Sequence, residues 1–294
     1  LGDVYKRQIR GAFAAGWRHR KGVVSMIRLI ATDMDGTLLD AEKKLPRALP
    51  QLLQELYRRD IVFAIASGRS RIALTSLFGD LAASLIFICD NGGYIQIPGQ
   101  APLLHSMQPE AVHTVLDLCR QLHQVVPVLC CQHDIYYPQS AQEQFQNEIN
   151  NFYKQFQHCP YEALYDIAKQ DPVLKIALCD MAGPMQNSFP ALQKEFGNSM
   201  NLLVSGNCWM DVMPAGIDKG MGIRTLQNHL GISPEETMTF GDFYNDVAMF
   251  QASVYSYAME NAEEGVKQQA RFLAPPNTEN GVLRTICREL EIVL

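Results

Sequence analysis

The chain has 294 residues, of which 47% are apolar, 19% charged and 9% aromatic. This composition is typical of a globular protein long enough for two domains, and it excludes a disordered chain, a collagen and a small disulfide-stabilised scaffold. The formal net charge of −6 gives the chain no general attraction to nucleic acid or anionic lipid, so we expect neither as a partner.

Apolar runs and cysteines indicate the compartment. No run approaches the roughly 18–20 apolar residues of a membrane span. The eight cysteines form no C-x-x-C pair, so we do not expect a zinc site. Cys130 and Cys131 are adjacent and could form a vicinal disulfide, although two reduced strand cysteines are the expected state in a cytosol. We therefore expect a cytoplasmic protein.

Residues 1–25 differ in composition from the rest of the chain. They carry six basic residues and one acid. They lack the roughly 7–15-residue apolar stretch of a signal peptide. They hold a single serine, Ser25, and no clear amphipathic face, whereas a transit peptide is rich in serine and amphipathic. Residues 3–8 back-translate to a DNA sequence resembling a transposon-end adaptor of sequencing libraries. We interpret 1–25 as a non-native or translated upstream segment, and we expect Met26 to be the natural start.

From Met26 on, predicted strands alternate with predicted helices. Short apolar runs typical of strands covered on both faces occur at Ile27–Thr32, Ile61–Ala66 and Leu85–Cys89. Helical spacing separates them over Pro46–Arg59 and again up to Leu77. The same alternation returns near the C-terminus, with helices at Gly220–Leu230, Asn245–Ala252, Ala262–Gln268 and Gly281–Glu289 and strands at Thr237–Phe240, Val254–Ala258 and Phe272–Ala274. This order predicts a parallel sheet flanked by helices, the α/β class.

The middle of the chain has a different pattern. Strands are expected at Val125–Cys131, Ile135–Tyr137, Leu174–Leu178 and Leu202–Val204, and helices at Glu110–His123, Ala141–Phe156 and Met185–Phe196. We therefore predict an α+β domain over residues 96–212, inserted into an α/β core formed by residues 26–95 and 213–294.

The loop after the first strand, Asp33-Met34-Asp35-Gly36-Thr37-Leu38, places two carboxylates two residues apart. Like charges this close repel, so we expect a cation to offset them, unless both acids simply form a solvated turn. Gly36 permits a turn that other residues resist. A calcium-binding loop is a poor interpretation, because Lys44 stands where such a loop requires Glu.

Three further loops carry polar groups. Ser67-Gly68-Arg69 offers a hydroxyl and backbone N–H groups at a helix start, which suits an anion but is also ordinary turn chemistry. Asp218-Lys219-Gly220 places a lysine where it could balance phosphate charge or merely lie on the surface. Gly241-Asp242-Phe243-Tyr244-Asn245-Asp246 clusters two acids suited to Mg²⁺ or, in part, to helix capping. Together with the first loop they predict a phosphoryl-transfer site at the carboxyl edge of the sheet.

The order and spacing of these four motifs resemble the haloacid dehalogenase superfamily, in particular its Cof-type phosphatases. The resemblance runs from Met26 to the C-terminus, and Asn91-Gly92, Asn261-Ala262 and Asn280-Gly281 also match. It implies a Rossmann-like parallel-sheet core with an inserted α+β cap domain. It also implies a cytoplasmic, Mg²⁺-dependent hydrolase of small phosphorylated metabolites such as sugar phosphates.

The resemblance further implies a role for each motif residue. Asp33 would attack phosphorus and form an aspartyl-phosphate, and Asp35 would act as general acid and then general base. Asp33, the backbone carbonyl of Asp35 and Asp242 would hold Mg²⁺. Asp246 would orient Lys219 or join the outer shell of the metal. The phosphoryl oxygens would be bound by Ser67, Gly68, Lys219 and Asn245.

Two alternatives stay open at this level. A phosphomutase or a specialised sugar-phosphate phosphatase could use the same scaffold, because fold alone does not decide the reaction. A non-catalytic binding protein is the other alternative, although such a protein usually has a broken motif and this chain has none. In the inserted domain, the candidates to face a substrate are His133, Asp134, Tyr136 and Trp209. The sequence identifies neither the substrate nor the oligomeric state.

Overall fold

The computed structural model describes residues 27–153, 155–205 and 207–294. The interpretation of residues 1–25, and of Met26 as the start, concerns residues outside these ranges. The chain divides into two compact units, one formed by the part up to Leu103 together with Asp218–Leu294, the other by Leu104–Ile217. Within the described ranges, no helix has both the length and the apolar character required to cross a bilayer.

The elements of the described residues are numbered here in chain order. The strands are β1 (Leu29–Thr32), β2 (Val62–Ala66), β3 (Ile86–Cys89), β4 (Tyr94–Gln96), β5 (Leu103–Leu104), β6 (Val125–Cys131), β7 (Ile135–Pro138), β8 (Gln157–Cys159), β9 (Val173–Asp180), β10 (Met200–Val204), β11 (Trp209–Pro214), β12 (Thr237–Gly241), β13 (Tyr255–Met259) and β14 (Phe272–Ala274). The helices are α1 (Leu49–Arg58), α2 (Arg71–Phe78), α3 (Pro109–Gln121), α4 (Glu143–Phe152), α5 (Ala163–Gln170), α6 (Ser188–Phe196), α7 (Lys219–Leu230), α8 (Val247–Gln251), α9 (Glu264–Lys267) and α10 (Gly281–Glu289).

The first unit is built on an eight-stranded sheet, counted over the described residues, in the order β14-β13-β12-β1-β2-β3-β4-β5. Neighbours from β14 to β3 are parallel, and β4 lies antiparallel to β3. Thr32, the last residue of β1, pairs with Phe240 of β12 and with Ile65 of β2. The carboxyl ends of three neighbouring strands therefore come together, as the α/β prediction requires.

Burial explains why these apolar runs form the centre of the sheet. All residues of β1, β2, β3 and β12 are buried. Apolar side chains of α7 and α8, including Ile223, Leu226 and Met249, pack with residues of β1, β2 and β3 in one core cluster. Strands covered on both faces lose the alternation of polar and apolar residues, and β1, β2 and β3 accordingly read as apolar runs. In β12 the buried threonines Thr237 and Thr239 alternate with apolar residues.

The second unit has a six-stranded sheet in the order β10-β11-β9-β6-β7-β8, again among the described residues. Its neighbours are antiparallel except for the parallel pair β7 and β8. One face packs against apolar side chains of α3, α5 and α6, and the other face against those of α4. An α/β core with an inserted α+β unit is thus the fold, as predicted.

The limits of the inserted unit differ from the predicted residues 96–212. After Gly92-Gly93 the chain turns back along β3 as β4, and β5 continues the same sheet. Residues up to Leu103 therefore belong to the first unit, and the second unit ends at Ile217 rather than near residue 212. That the second unit acts as a cap stays a prediction.

Candidate active site

Asp33 lies at the centre of the carboxyl edge of the parallel sheet. It directly follows β1, and its backbone N–H donates to the Phe240 carbonyl of β12 at 2.9 Å. Its side chain is nearly buried, with 7% of the residue exposed. A carboxylate in this position loses most of its hydration, so its environment must supply compensating groups.

Lys219 supplies the nearest compensating charge. It is the first residue of α7 and is buried, and its Nζ donates to Oδ1 of Asp33 at 2.6 Å and to Oδ1 of Asp246 at 2.7 Å. Oδ2 of Asp246 accepts from the backbone N–H groups of Asp242 at 2.9 Å and Phe243 at 3.0 Å. Asp246 therefore ties the lysine to the loop after β12. Burial lowers the pKa of Lys219, but the two carboxylates outweigh it and raise that pKa above its ordinary value.

Gly36 allows the loop after β1 to approach Asp242 closely. Its φ is +80°, and a Cβ at this position would lie 2.2 Å from Oδ2 of Asp242. The adjacent Thr37 donates from its hydroxyl to Oδ1 of Asp242 at 2.6 Å. Two loops from neighbouring strands are thus joined through one carboxylate.

Three carboxylates converge at this point. Oxygens of Asp33, Asp242 and Asp246 lie within 4.8 Å of one another. Burial raises the pKa of Asp33 to about 7 and that of Asp242 to about 6. Clustered oxygen donors with an excess of negative charge fit a hard divalent cation such as Mg²⁺. The structure thus brings together two of the predicted metal ligands, Asp33 and Asp242, and adds Asp246, whose oxygens also contact Lys219 and two backbone N–H groups.

The side chain of Asp35 contacts Arg69 and is not part of the group formed by Asp33, Asp242 and Asp246. It is partly exposed, and Arg69 donates to it from Nε to Oδ2 at 2.8 Å and from Nη2 to Oδ1 at 2.6 Å. The φ and ψ of Asp35 are non-helical, at −78° and 118°. Arg69 is the last residue of the Ser67-Gly68-Arg69 motif, and the resemblance implies no role for it.

Three of the four predicted phosphate-binding residues, Ser67, Gly68 and Asn245, lie close to Asn91. Ser67 is buried and its carbonyl accepts from the backbone N–H of Asn91 at 3.0 Å. Asn245 donates from Nδ2 to Oδ1 of Asn91 at 3.2 Å. A Cβ on Gly68 would lie 3.3 Å from the Asn91 amide, so any side chain larger than that of glycine requires a small shift there. Asn91, in the left-handed region at φ +52°, thus forms hydrogen bonds with two predicted site residues, Ser67 and Asn245. The Asn-Gly pair after β3 was the available sequence signature.

Two asparagines near the C-terminus hold the loop after β1. Asn261 donates from Nδ2 to the Gly36 carbonyl at 2.8 Å, and its Oδ1 accepts from the backbone N–H of Asn277 at 3.0 Å. Asn277 in turn donates from Nδ2 to the Leu39 carbonyl at 2.8 Å. Asn261 belongs to one of the matching motifs, whereas no sequence motif marks Asn277.

The four candidates in the inserted unit have partners within that unit. Trp209 is buried in the core, and its Nε1 donates to Glu148 at 2.9 Å. The exposed His133 contacts Asp171 through Nδ1 at 2.9 Å. Asp134 accepts from Gln157 at 3.0 Å, and Tyr136 is half-buried beside a core cluster. Trp209 is therefore a core residue of the second unit.

Comparisons with known proteins identify the family of this chain. A family model described as haloacid dehalogenase-like hydrolase matches residues 30–286. The 5-amino-6-(5-phospho-D-ribitylamino)uracil phosphatase YbjI of Escherichia coli K12 is 29% identical over 267 residues, covering 90% of this chain and 97% of that protein. HMP-PP phosphatase of Escherichia fergusonii is 28% identical over 247 residues, covering 81% and 85%. The crystal structure of SMU.1108c from Streptococcus mutans UA159 matches with a TM-score of 0.80 at 26% identity, covering 90% of this chain and 100% of that one. The chain belongs to the haloacid dehalogenase-like hydrolase family and is a phosphoric monoester hydrolase of that family.

Proposed function

We propose that the protein is a Mg²⁺-dependent phosphatase that hydrolyses small phosphorylated metabolites, such as sugar phosphates, through an aspartyl-phosphate on Asp33. One observation carries the proposal: a nearly buried carboxylate at the sheet edge, held by Lys219 at 2.6 Å and surrounded by Asp242 and Asp246. Two relatives named as phosphatases of small phosphorylated compounds support the substrate class.

In the first step, an oxygen of Asp33 attacks phosphorus. A bond forms between that oxygen and phosphorus, and the bond from phosphorus to the alcohol oxygen breaks. Asp35 donates its proton to the departing oxygen, so that the alcohol leaves neutral. Lys219 contacts the attacking carboxylate and offsets the negative charge that the phosphoryl group brings.

In the second step, the now ionised Asp35 takes a proton from water. The water oxygen attacks phosphorus, the bond to Asp33 breaks, and inorganic phosphate leaves. Both carboxyl groups return to their starting states, so atoms and protons balance over the cycle.

Mg²⁺ would be held by Asp33, Asp242 and the backbone carbonyl of Asp35, and when bound it would neutralise charge on the phosphoryl oxygens. We assign Asp246 to the orientation of Lys219, because its oxygens contact the lysine and two backbone N–H groups. The remaining phosphoryl contacts are assigned to the Ser67 hydroxyl, the Gly68 N–H and the Asn245 amide. Asn91 keeps that amide in place, since it accepts one of its hydrogen bonds.

We also propose that the second unit, Leu104–Ile217, is a cap that grades substrates by the part beyond the phosphate. The support is its place in the chain, between the loops that carry Ser67 and Lys219. The cytoplasm is the proposed compartment and a small phosphorylated metabolite the proposed partner.

The test is phosphate release by the purified full-length chain against a panel of phosphorylated metabolites. We expect Mg²⁺ to be required, EDTA to stop release and added Mg²⁺ to restore it, with Ca²⁺ a poor substitute because of its looser coordination. Asp33→Asn should abolish turnover, while Asp60→Asn, an exposed carboxyl outside the site, should retain it.

Two results would contradict the proposal. Transfer of phosphate within a sugar, with no release to water, would identify a phosphomutase. Absence of turnover on every compound, despite saturable binding, would favour a binding protein.

A further inference from the structure

Arg69 and Asp35 form a bidentate ion pair. The proposed reaction gives Asp35 a role but assigns none to Arg69. Nε and Nη2 of Arg69 each donate to a different oxygen of Asp35, at 2.8 and 2.6 Å. The two residues follow neighbouring parallel strands, β2 and β1. The pair therefore joins two loops at the carboxyl edge of the sheet.

Both ends of this contact have anchored backbones. On the Arg69 side, its N–H donates to the Ser67 hydroxyl at 3.2 Å and its carbonyl accepts from Asp90 at 3.0 Å. On the Asp35 side, the following residue, Gly36, is in the left-handed region and its carbonyl accepts from Asn261. The backbones on both sides are held by hydrogen bonds, and the guanidinium group contacts both oxygens of the Asp35 carboxyl group.

The contact contributes more to orientation than to stability. Asp35 and Arg69 keep 45% and 30% of their side chains exposed, and ion pairs at such positions add little to the free energy of folding. A guanidinium fork, however, matches both oxygens of a carboxylate and defines its plane, which a lysine ammonium does not. Proton transfer depends steeply on the position and direction of the donor.

We propose that Arg69 is a positioning residue that orients the carboxyl group of Asp35 for proton transfer to the leaving oxygen, an inference that rests on the proposed function. Because both oxygens accept from Arg69, one hydrogen bond must open before that oxygen carries a proton to the departing alcohol. The other bond holds the carboxyl group meanwhile. In the transfer, the O–H bond of Asp35 breaks as the new O–H bond of the alcohol forms.

The test compares leaving groups that need a proton with one that does not. p-Nitrophenolate departs readily as an anion, whereas the alkoxide of glycerol phosphate must be protonated. kcat/KM reports only the steps up to release of the alcohol, so it isolates the transfer to Asp33. We expect Arg69→Ala to lower kcat/KM for glycerol phosphate on the order of 10- to 100-fold, and that for p-nitrophenyl phosphate less than about threefold.

The double variant tests whether Arg69 acts through Asp35. Asp35→Asn should show the same leaving-group dependence with a larger loss, and adding Arg69→Ala to it should cost nothing further. Arg69→Lys keeps the charge but not the fork, so it should recover only part of the loss. Arg71→Ala is the matched control. This nearby arginine lies over the Tyr94 ring, so its removal should leave kcat/KM for both substrates unchanged.

The outcomes separate the two proposals. An equal loss on both substrates, additivity with Asp35→Asn, or full recovery by Arg69→Lys would overturn the positioning role. If Asp35→Asn itself shows no leaving-group dependence, the general-acid role in the proposed function fails instead. Thermal unfolding of each variant confirms that the comparison is made between folded proteins.

Discussion

Asp33 shows how the site depends on an excess of buried negative charge. Three carboxylates lie within 4.8 Å of one another, while Lys219 is the cation that contacts Asp33 and Asp246. Burial is the largest cause of the raised pKa of Asp33; Lys219 lowers that pKa, and the carboxylates of Asp246 and Asp242 raise it further. Placing these carboxylates close together lowers the stability of the metal-free protein. The same cluster of oxygens could bind a divalent cation.

The stability of the metal-free protein should therefore depend on pH. Burial raises the pKa of Asp33 from 3.8 to about 7 and that of Asp242 from 3.8 to about 6. A carboxyl whose pKa is raised on folding contributes stability below its unfolded pKa, and this is lost as pH rises through the folded pKa. In EDTA, the unfolding temperature should fall as pH rises from about 4 to about 7.

Asp33→Asn removes the largest of these contributions and serves as the comparison. In EDTA it should be more stable than the unchanged protein above pH 7, and the difference should shrink toward pH 4. Saturating Mg²⁺ should reverse the order, because the metal stabilises only the intact site. An Asn variant that is less stable than the unchanged protein at every pH in EDTA would contradict this account.

Removal of Lys219 should damage the site and the fold together. Lys219→Ala leaves two buried carboxylates without their shared cation, which costs about 3 kcal/mol in the free energy of unfolding. Activity should fall by a similar factor on every substrate, because each presents the same phosphoryl group. Lys267→Ala, which removes a surface contact to Glu264 at 4.0 Å, is the control in denaturant titrations and in rate measurements. A loss confined to some substrates would place Lys219 outside the phosphoryl contacts.

At the scale of elements, apolar runs predicted the parallel strands well. β1, β2, β3 and β12 are buried throughout, and continuous apolar runs mark the first three of them in the sequence. The loops after β1, β2 and β12 and the start of α7 were likewise predicted to share a site, because parallel strands end at one edge. The contacts of Arg69, Asn91 and Asn277 were not predicted, since they depend on how loops distant in sequence meet.

Elements of the second unit were harder to predict. β11 was missed because Asp211 interrupts its apolar run, and only the structure reveals that Lys175 pairs with it at 3.1 Å inside the unit. Helix α4 was predicted over Ala141–Phe156 but ends at Phe152, where Tyr153 becomes extended at φ −108° and ψ 121°. The three residues of β8 are too few for a clear period, and α5 was also not predicted.

The two loops approach each other closely at Gly36, so a substitution at this position tests how they pack. Gly36→Ala places a Cβ 2.2 Å from Oδ2 of Asp242 in a left-handed backbone at φ +80°. Gly99→Ala is the matched control, because φ there is +76° and no atom lies within 4 Å of the added Cβ. Both variants should lose roughly 1–2 kcal/mol through backbone strain.

The difference between these variants isolates the contact with Asp242. Gly36→Ala alone should weaken Mg²⁺ binding, measured by titration of the EDTA-treated protein, because the added Cβ displaces the carboxylate of Asp242, a proposed Mg²⁺ ligand. Equal Mg²⁺ affinities in the two alanine variants would show that Asp242 does not hold the metal.

At the scale of the whole molecule, the sequence predicted an interrupted core but not the limits of the interruption. The change from alternating strands and helices to a Gln- and Asn-rich segment marked the insertion. β4 and β5 were not predicted, because they are only three and two residues long. In the structure they add two strands to the sheet of the first unit. Pairing between strands decided the boundary, and a local sequence pattern does not contain that information.

The central claim is that phosphate passes through Asp33, and an acid quench during turnover tests it most directly. The full-length protein, mixed with Mg²⁺ and substrate and quenched within the turnover time, should carry one added phosphoryl group. Mass spectrometry of its peptides should locate that group on Asp33, and Asp33→Asn should remain unlabelled under the same conditions. A phosphoryl group on any other residue, or steady phosphate release by Asp33→Asn, would contradict the account.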